Sequence, residues 1–189
     1  MVVSDTGRMT VSPTPTDSPP TLAGPITVEE FNAASGGALE ASLSELFGSA
    51  ELAAAVVAVR PMTDIEEICA TASKQLHSLP DDQILTSINA HPPIGGTVAA
   101  GSRSAAEQSE AQSDAEALDR LRELQPEYRD HFGFNFLIRA AGLSSQEILD
   151  QLTERMGNDP GQEIDIAHRQ LDQINQLRLR GFIAEEENK

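Results

Sequence analysis

The sequence predicts an all-α fold: a single compact bundle of about eight short helices behind a disordered N-terminal tail. Three observations lead there. Capping boxes recur along the chain, apolar residues repeat at three and four positions, and alternating β-branched runs are scarce. At 189 residues the chain is long enough for one proper core, and its apolar pattern continues without a break or an internal repeat.

The elements follow in order. Residues 1–25 include Thr14-Pro15-Thr16-Asp17-Ser18-Pro19-Pro20-Thr21, which has no apolar periodicity. Burial there cannot offset the entropy of ordering, so residues 1–25 are expected to be a disordered tail and residues 26–189 the helical domain. Thr27-x-x-Glu30 is a capping box opening a short helix through Phe31. Ala38 to Phe47 follows, with Gly48 as its stop. Ser49 caps Ala50 to Val59, and Pro61 breaks that run. Thr63-x-x-Glu66 reads as another capping box, ahead of Ile65, Ile68, Cys69, Ala72 and Leu76. Pro80 sits at the next helix start, before Ile84, Leu85 and Ile88.

The Gly-rich stretch from His91 to Arg103 is a loop. Ser104-x-x-Glu107 caps a helix to about Leu124, and Glu127 to His131 adds one more turn before Gly133 interrupts. Phe134-Asn135-Phe136-Leu137-Ile138 reads as a short extended segment buried by its aromatics. Ser144-x-x-Glu147 starts a helix ending near Met156-Gly157, and Asp159-Pro160 starts the last one, to about Ala184.

Charge and composition exclude several functions. A net charge of −17 leaves no basic stripe for nucleic acid and disfavours anionic membrane surfaces. Its ordinary consequence is solubility, and an anionic substrate would need local cations for capture. The single cysteine, Cys69, excludes an intrachain disulfide and a cysteine-rich zinc site, and its apolar neighbours make it a small core residue. No apolar run is long enough to span a membrane, and no basic-then-hydrophobic leader opens the chain, so a cytoplasmic location is expected. No HxxxH or HExxH pair supports a metal. Gly95-Gly96 and Gly101 lack the Lys-Ser/Thr of a phosphate-binding loop, and Ser102 and Ser104 lack a GxSxG context.

Chemically capable residues on inward faces are the candidates for function. Ile84, Ile88 and His91 are spaced four and three apart, so His91 leaves its helix on the apolar side. The prolines after it push it toward an extended backbone. Glu107 shares a face with Ala111, Leu118 and Leu121, although it also suits the capping-box role opposite Ser104. Arg178 falls inside the apolar stripe Ile164, Ala167, Leu171, Ile174 and Phe182 of the last helix, whereas Arg180 faces away. Buried arginine demands a partner. Two readings stay open: a structural salt bridge to Glu107 or Asp114, or a seat for a substrate carboxylate. His77 and His131 read as surface or boundary residues, and His168 lies one step off the stripe.

These residues also carry a family resemblance. His91-Pro92-Pro93-Ile94-Gly95, Ser104-Ala105-Ala106-Glu107-Gln108, Tyr128-Arg129-Asp130-His131-Phe132-Gly133-Phe134 and Leu177-Arg178-Leu179 stand in the order and approximate spacing of the 2-oxo-4-hydroxy-4-carboxy-5-ureidoimidazoline (OHCU) decarboxylases. The chain resembles this family over about Ile26 to Ile183, and the His-to-Ser loop is of the shorter type of its bacterial members. Thr27-Val28-Glu29-Glu30-Phe31-Asn32 looks like the family's first helix. The resemblance implies an all-α homodimer that needs no cofactor and turns this anionic substrate of urate breakdown into (S)-allantoin and CO2. It implies His91 and Glu107 as catalytic residues, Arg178 as the substrate-binding arginine, and Pro92, Ser104, Gln108 and the backbone near Ile138 as pocket residues. Two positions depart from the pattern: Asn135, where the family often has Pro, and Gln125, where it often has Asn. A helical binding or scaffold protein that kept the fold without the chemistry is the alternative reading.

Overall fold

The computed structural model describes residues 21–95 and 115–184. Among these residues there are eight α-helices: α1 (Val28–Ala33), α2 (Gly36–Phe47), α3 (Ala50–Val57), α4 (Ile65–Leu76), α5 (Asp81–Ala90), α6 (Ala115–Phe132), α7 (Ser145–Arg155) and α8 (Pro160–Phe182). The described residues contain no β-strand. A lone parallel bridge joins Ile26 to Ile183, with the Ile26 amide donating to Phe182 O at 2.9 Å and the Ala184 amide donating to Ile26 O at 2.8 Å.

Most helix starts follow the predicted caps. Thr27 and Ser144 form complete capping boxes with Glu30 and Glu147, and Asp159 caps α8 with Pro160 at its first position. Gly48 ends α2 at φ 65°, a left-handed conformation that glycine adopts without strain. Three details differ. Asp64, not Thr63, caps α4: its carboxylate accepts from the Glu67 amide, while the Thr63 amide and hydroxyl both donate to Glu67 Oε2. Asp caps as well as Thr, so the N-cap moves by one residue, and Glu67 reaches back past it to Thr63 instead of closing a box. Helix α2 starts at Gly36 because Ser35 caps it, overriding the weak propensity of two glycines.

The third difference is α6, which runs unbroken through Pro126. Leu121, Gln125 and Tyr128 are buried on its inner side, so packing holds the helix together. Pro126 lies on the exposed side, where solvent can serve the Arg122 carbonyl that a proline leaves unbonded. The predicted start of this helix at Ser104 lies outside the described residues.

One hydrophobic core runs through the bundle, from Phe31, Leu39 and Leu43 to Leu171, Leu179 and Phe182. Helix α8 packs against α2, α4 and α5, which places one face of α8 at the meeting point of three helices. The Phe134–Ala140 stretch belongs to no helix or sheet and is largely buried, so side chains must serve its backbone. They do: the Asn135 amide donates to Asn89 Oδ1 at 2.9 Å, Arg155 Nη1 donates to Leu137 O at 2.9 Å, and the Arg139 amide donates to Gln170 Oε1 at 2.8 Å. Tyr128 packs its ring against Phe132, Phe134 and Phe136 at centroid distances of 4.7, 5.9 and 5.3 Å.

Arg155 and Glu163 form an ion pair at 2.6 Å whose side chains are 5% and 0% exposed. The Tyr128 hydroxyl donates to the same Glu163 carboxylate, and Asn158 Nδ2 donates to its other oxygen at 2.7 Å. Burial, then the Glu163 bond, push the Tyr128 phenol well above its usual range, so it stays a donor.

Candidate active site

His91 is the C-cap of α5, with φ −79° and ψ 130°, and is buried. Its Nδ1 lies 2.8 Å from Ser87 O. A carbonyl only accepts, so Nδ1 carries the proton, and the neutral ring then presents an unprotonated Nε2. Arg178 Nη1 donates toward that Nε2 at 3.2 Å, across 87 residues of sequence. The ring is thereby fixed in tautomer and orientation, with its basic nitrogen beside a cation.

Arg178 is 8% exposed, on the inward face of α8 where its spacing places it. Its Nη1 also donates to Leu46 O at 2.9 Å. Leu46 belongs to the last turn of α2, whose end carbonyls lack intrahelical donors and carry the negative end of the helix dipole. Ser87 Oγ donates to the neighbouring Phe47 O at 2.9 Å. The end of α2 therefore anchors both the arginine and the helix turn that carries the histidine. Glu107 and Asp114, the predicted salt-bridge partners of Arg178, lie outside the described residues.

Gly48 has a second task here. A Cβ on it would sit a tight 3.2 Å from Ala90 Cβ and at an ordinary 3.6 Å from His91 Cε1, so with its φ of 65° glycine suits the α2–α3 corner where it packs on the end of α5.

Gln125 organises the turn after His91. Its Oε1 accepts from the Ile94 amide at 2.9 Å, and its Nε2 donates to Ile94 O at 2.9 Å. This paired bond clamps Pro92-Pro93-Ile94 onto α6, so the departure at Gln125 is accommodated as a built contact. Asn135, the other departure, ties the extended segment to α5 through Asn89. A depression of about 240 Å³ borders the same turn, lined by Pro93, Ile94, Gln125 and the arginines Arg122 and Arg129 among others. Neither His91 nor Arg178 lines it.

Of the predicted site residues, His91 and Arg178 are in contact, and Pro92 follows His91 at the mouth of the clamped turn. Ile138 is buried on the extended segment, whose next residue is tied to α8 through Gln170. Glu107, Ser104 and Gln108 lie outside the described residues. Sequence reasoning missed the roles of Ser87, Leu46 and Gly48. The carbonyls carry no side-chain signal, and Gly48 reads locally as a helix stop. Among the described residues no three His, Cys, Asp or Glu side chains converge on a possible metal position, and no helix is long and apolar enough to cross a membrane. Cys69 is buried, and burial raises its thiol above the usual range, which suits a core residue.

What this arrangement offers chemically is an oriented imidazole able to take or give a proton at Nε2, beside a guanidinium able to hold an anion.

Comparison with known proteins places the chain in a family. The sequence model of the OHCU decarboxylase family matches residues 32–180. The 2-oxo-4-hydroxy-4-carboxy-5-ureidoimidazoline decarboxylase of Amia calva is 34% identical over 139 residues, covering 70% of this chain and 79% of that protein. The uric acid degradation bifunctional protein TTL of Arabidopsis thaliana is 34% identical over 140 residues, 70% of this chain and 43% of that longer protein. A crystal structure of OHCU decarboxylase in the presence of (S)-allantoin superposes with a TM-score of 0.63 at 34% identity, covering 70% of this chain and 89% of that one. A crystal structure of (S)-allantoin synthase, at 24% identity and a TM-score of 0.68, shares the fold. With its family match spanning most of the helical domain, the chain belongs to the OHCU decarboxylase family.

Proposed function

We propose that this protein decarboxylates 2-oxo-4-hydroxy-4-carboxy-5-ureidoimidazoline to (S)-allantoin and CO2. The observation that carries the reading is the buried His91–Arg178 contact, inside the region that matches the family. Breaking the bond to the carboxylate releases CO2 and leaves an electron pair on the ring carbon. The adjacent C=N of the substrate accepts that pair, so an external electron sink is not needed. Arg178 holds an acidic group of the substrate. The nitrogen is protonated and an enol is left across the two ring carbons; His91 Nε2 takes the hydroxyl proton, delivers a proton to one face of the adjacent ureido-bearing carbon, or does both in turn, and delivery to one face accounts for a single enantiomer. Glu107 hydrogen-bonds the ureido or hydroxyl side of the substrate beside the His91 ring, while Pro92, Ser104, Gln108 and the backbone at Ile138 shape the pocket. No cofactor takes part.

The reading includes a homodimer, as the family resemblance implies, a cytoplasmic location, and a tail over residues 1–25 outside the catalytic unit. The test generates the unstable substrate in situ with urate oxidase and hydroxyisourate hydrolase. Added protein should speed decay of the substrate's ultraviolet signal and produce the circular dichroism band of (S)-allantoin. Decay at the spontaneous rate would sink the reading. His91→Ala should lose most turnover, about 100-fold or more, with the helical spectrum unchanged. Near-normal activity in that variant removes His91 from the mechanism.

A further inference from the structure

Asn175 is the most deeply buried side-chain amide in the described residues, at 1% exposure, and neither its Nδ2 nor its Oδ1 has a hydrogen-bond partner among them. Leaving such a group unpaired costs roughly 1–3 kcal/mol per polar atom, so a folded protein rarely tolerates it without a reason. The other buried amide of the core shows the contrast. Gln125 has both ends of its amide bonded, to the two backbone groups of Ile94.

Position supplies the reason. Asn175 and Arg178 are three residues apart on α8, so they share a face and their Cβ atoms lie about 5–6 Å apart. Arg178 reaches the end of α2 at Leu46 O and the end of α5 at His91, and Asn175 is buried one helical turn before it. Leu171 lies four residues before Asn175 and Phe182 four residues after Arg178, both buried, so the two polar groups form one island in an apolar stripe.

We infer that Asn175 is a substrate-binding residue of this site, whose amide pairs with the ureido or ring-amide edge of the ligand that Arg178 holds. A carboxamide presents one acceptor oxygen beside an N–H donor. A ureido group presents the same pair in the complementary order, so the two can form a double hydrogen bond. A carboxylate substrate without that edge would engage Arg178 alone. Asn175 thus selects for the urea-like part of the molecule, while Arg178 selects for its charge. The inference rests on the proposed reading of the site as one that takes a ureidoimidazoline.

The test uses the full chain with Asn175→Leu and, as a second variant of nearly unchanged volume, Asn175→Asp, which lacks the donors. Turnover is measured on the substrate generated in situ, (S)-allantoin binding by titration calorimetry, and the melting temperature by circular dichroism. The expected result is a rise of about 5- to 150-fold in KM and in the dissociation constant for (S)-allantoin, with a smaller change in kcat. An amide that is only a core imperfection gives the opposite pattern: Asn175→Leu melts higher, with KM and allantoin affinity unchanged. That pattern overturns the inference. If Asn175→Leu does not fold, unchanged KM and allantoin affinity in Asn175→Asp overturn it equally. Failure of the unsubstituted protein to turn over substrate or bind (S)-allantoin overturns the function reading as well, whereas normal turnover with unaffected variants overturns the role of Asn175 alone.

Discussion

Replacing Arg155 by Met tests the buried ion network that holds the extended segment in place. Arg155 Nε and Nη2 lie 2.8 and 2.6 Å from Glu163 Oε1, and the two side chains are 5% and 0% exposed. Removing the cation leaves a fully buried carboxylate with the Tyr128 and Asn158 donors but no counter-charge. Breaking a buried pair from one side costs about 3–5 kcal/mol, far more than a surface pair contributes. For a domain of this size each kcal/mol moves the melting temperature by about 2–4 °C, so Arg155→Met should melt roughly 6–20 °C lower. The same substitution frees Leu137 O, the carbonyl just before Ile138, so turnover measured below the melting transition should also fall. Circular dichroism at 222 nm follows the unfolding. Glu163→Gln added to Arg155→Met should recover part of the loss by removing the stranded charge. The surface pair Arg180–Glu66, at 44% and 70% exposure, is the internal control. If Arg155→Met costs no more than Arg180→Ala, burial does not set the strength of this network and the reasoning fails.

Two further predictions follow from the same geometry. Gln125→Leu strips both backbone groups of Ile94 of their partners, which should destabilise the protein by about 2–4 kcal/mol and lower kcat by loosening the turn after His91. Hydrogen exchange at the Ile94 amide reads this directly, and exchange as slow as in the unsubstituted protein would exclude the clamp. His168 gives a pH signature: burial lowers its imidazole pKa, partly opposed by Asp81 and Asp165. The unfolded chain therefore takes up the proton first, so the His168 contribution to stability falls as pH drops through the ordinary imidazole range near 6.5 and levels off below the folded pKa. His168→Gln should flatten urea midpoints between pH 7.5 and 5.5; an unchanged slope would mean that His168 is solvated in the fold.

The sequence made the helices legible because their caps are local. Thr27, Ser144 and Asp159 each sit within three residues of the amides they serve. Arg178 was legible for a related reason, since its place in an apolar stripe depends only on the helical repeat. Contacts made between distant elements were not. Arg178 meets Leu46 O across 132 residues, and a backbone carbonyl leaves no mark in the residue code. The helix end expected near Leu124 fails for the complementary reason: the local cost of Pro126 argues for a break, while the buried Leu121, Gln125 and Tyr128 beside it decide otherwise. Gln125 stood out in the sequence only as a departure at one position. Its two bonds to Ile94 depend on where α6 lies against the His91 turn, which local pattern does not encode.

The Ile26–Ile183 bridge bears on how this domain can be joined to others. Bridged backbones lie about 4.8 Å apart, so the polypeptide enters and leaves the helical body at a single point. The whole bundle is in effect a closed loop on a short stem. A neighbour fused on either side, or a host protein carrying the bundle as an insertion, meets one small footprint and need not span the fold. A linker of a few residues between the two sides of the stem would close the loop covalently, and new ends could then be opened elsewhere on the surface without moving the residues around His91.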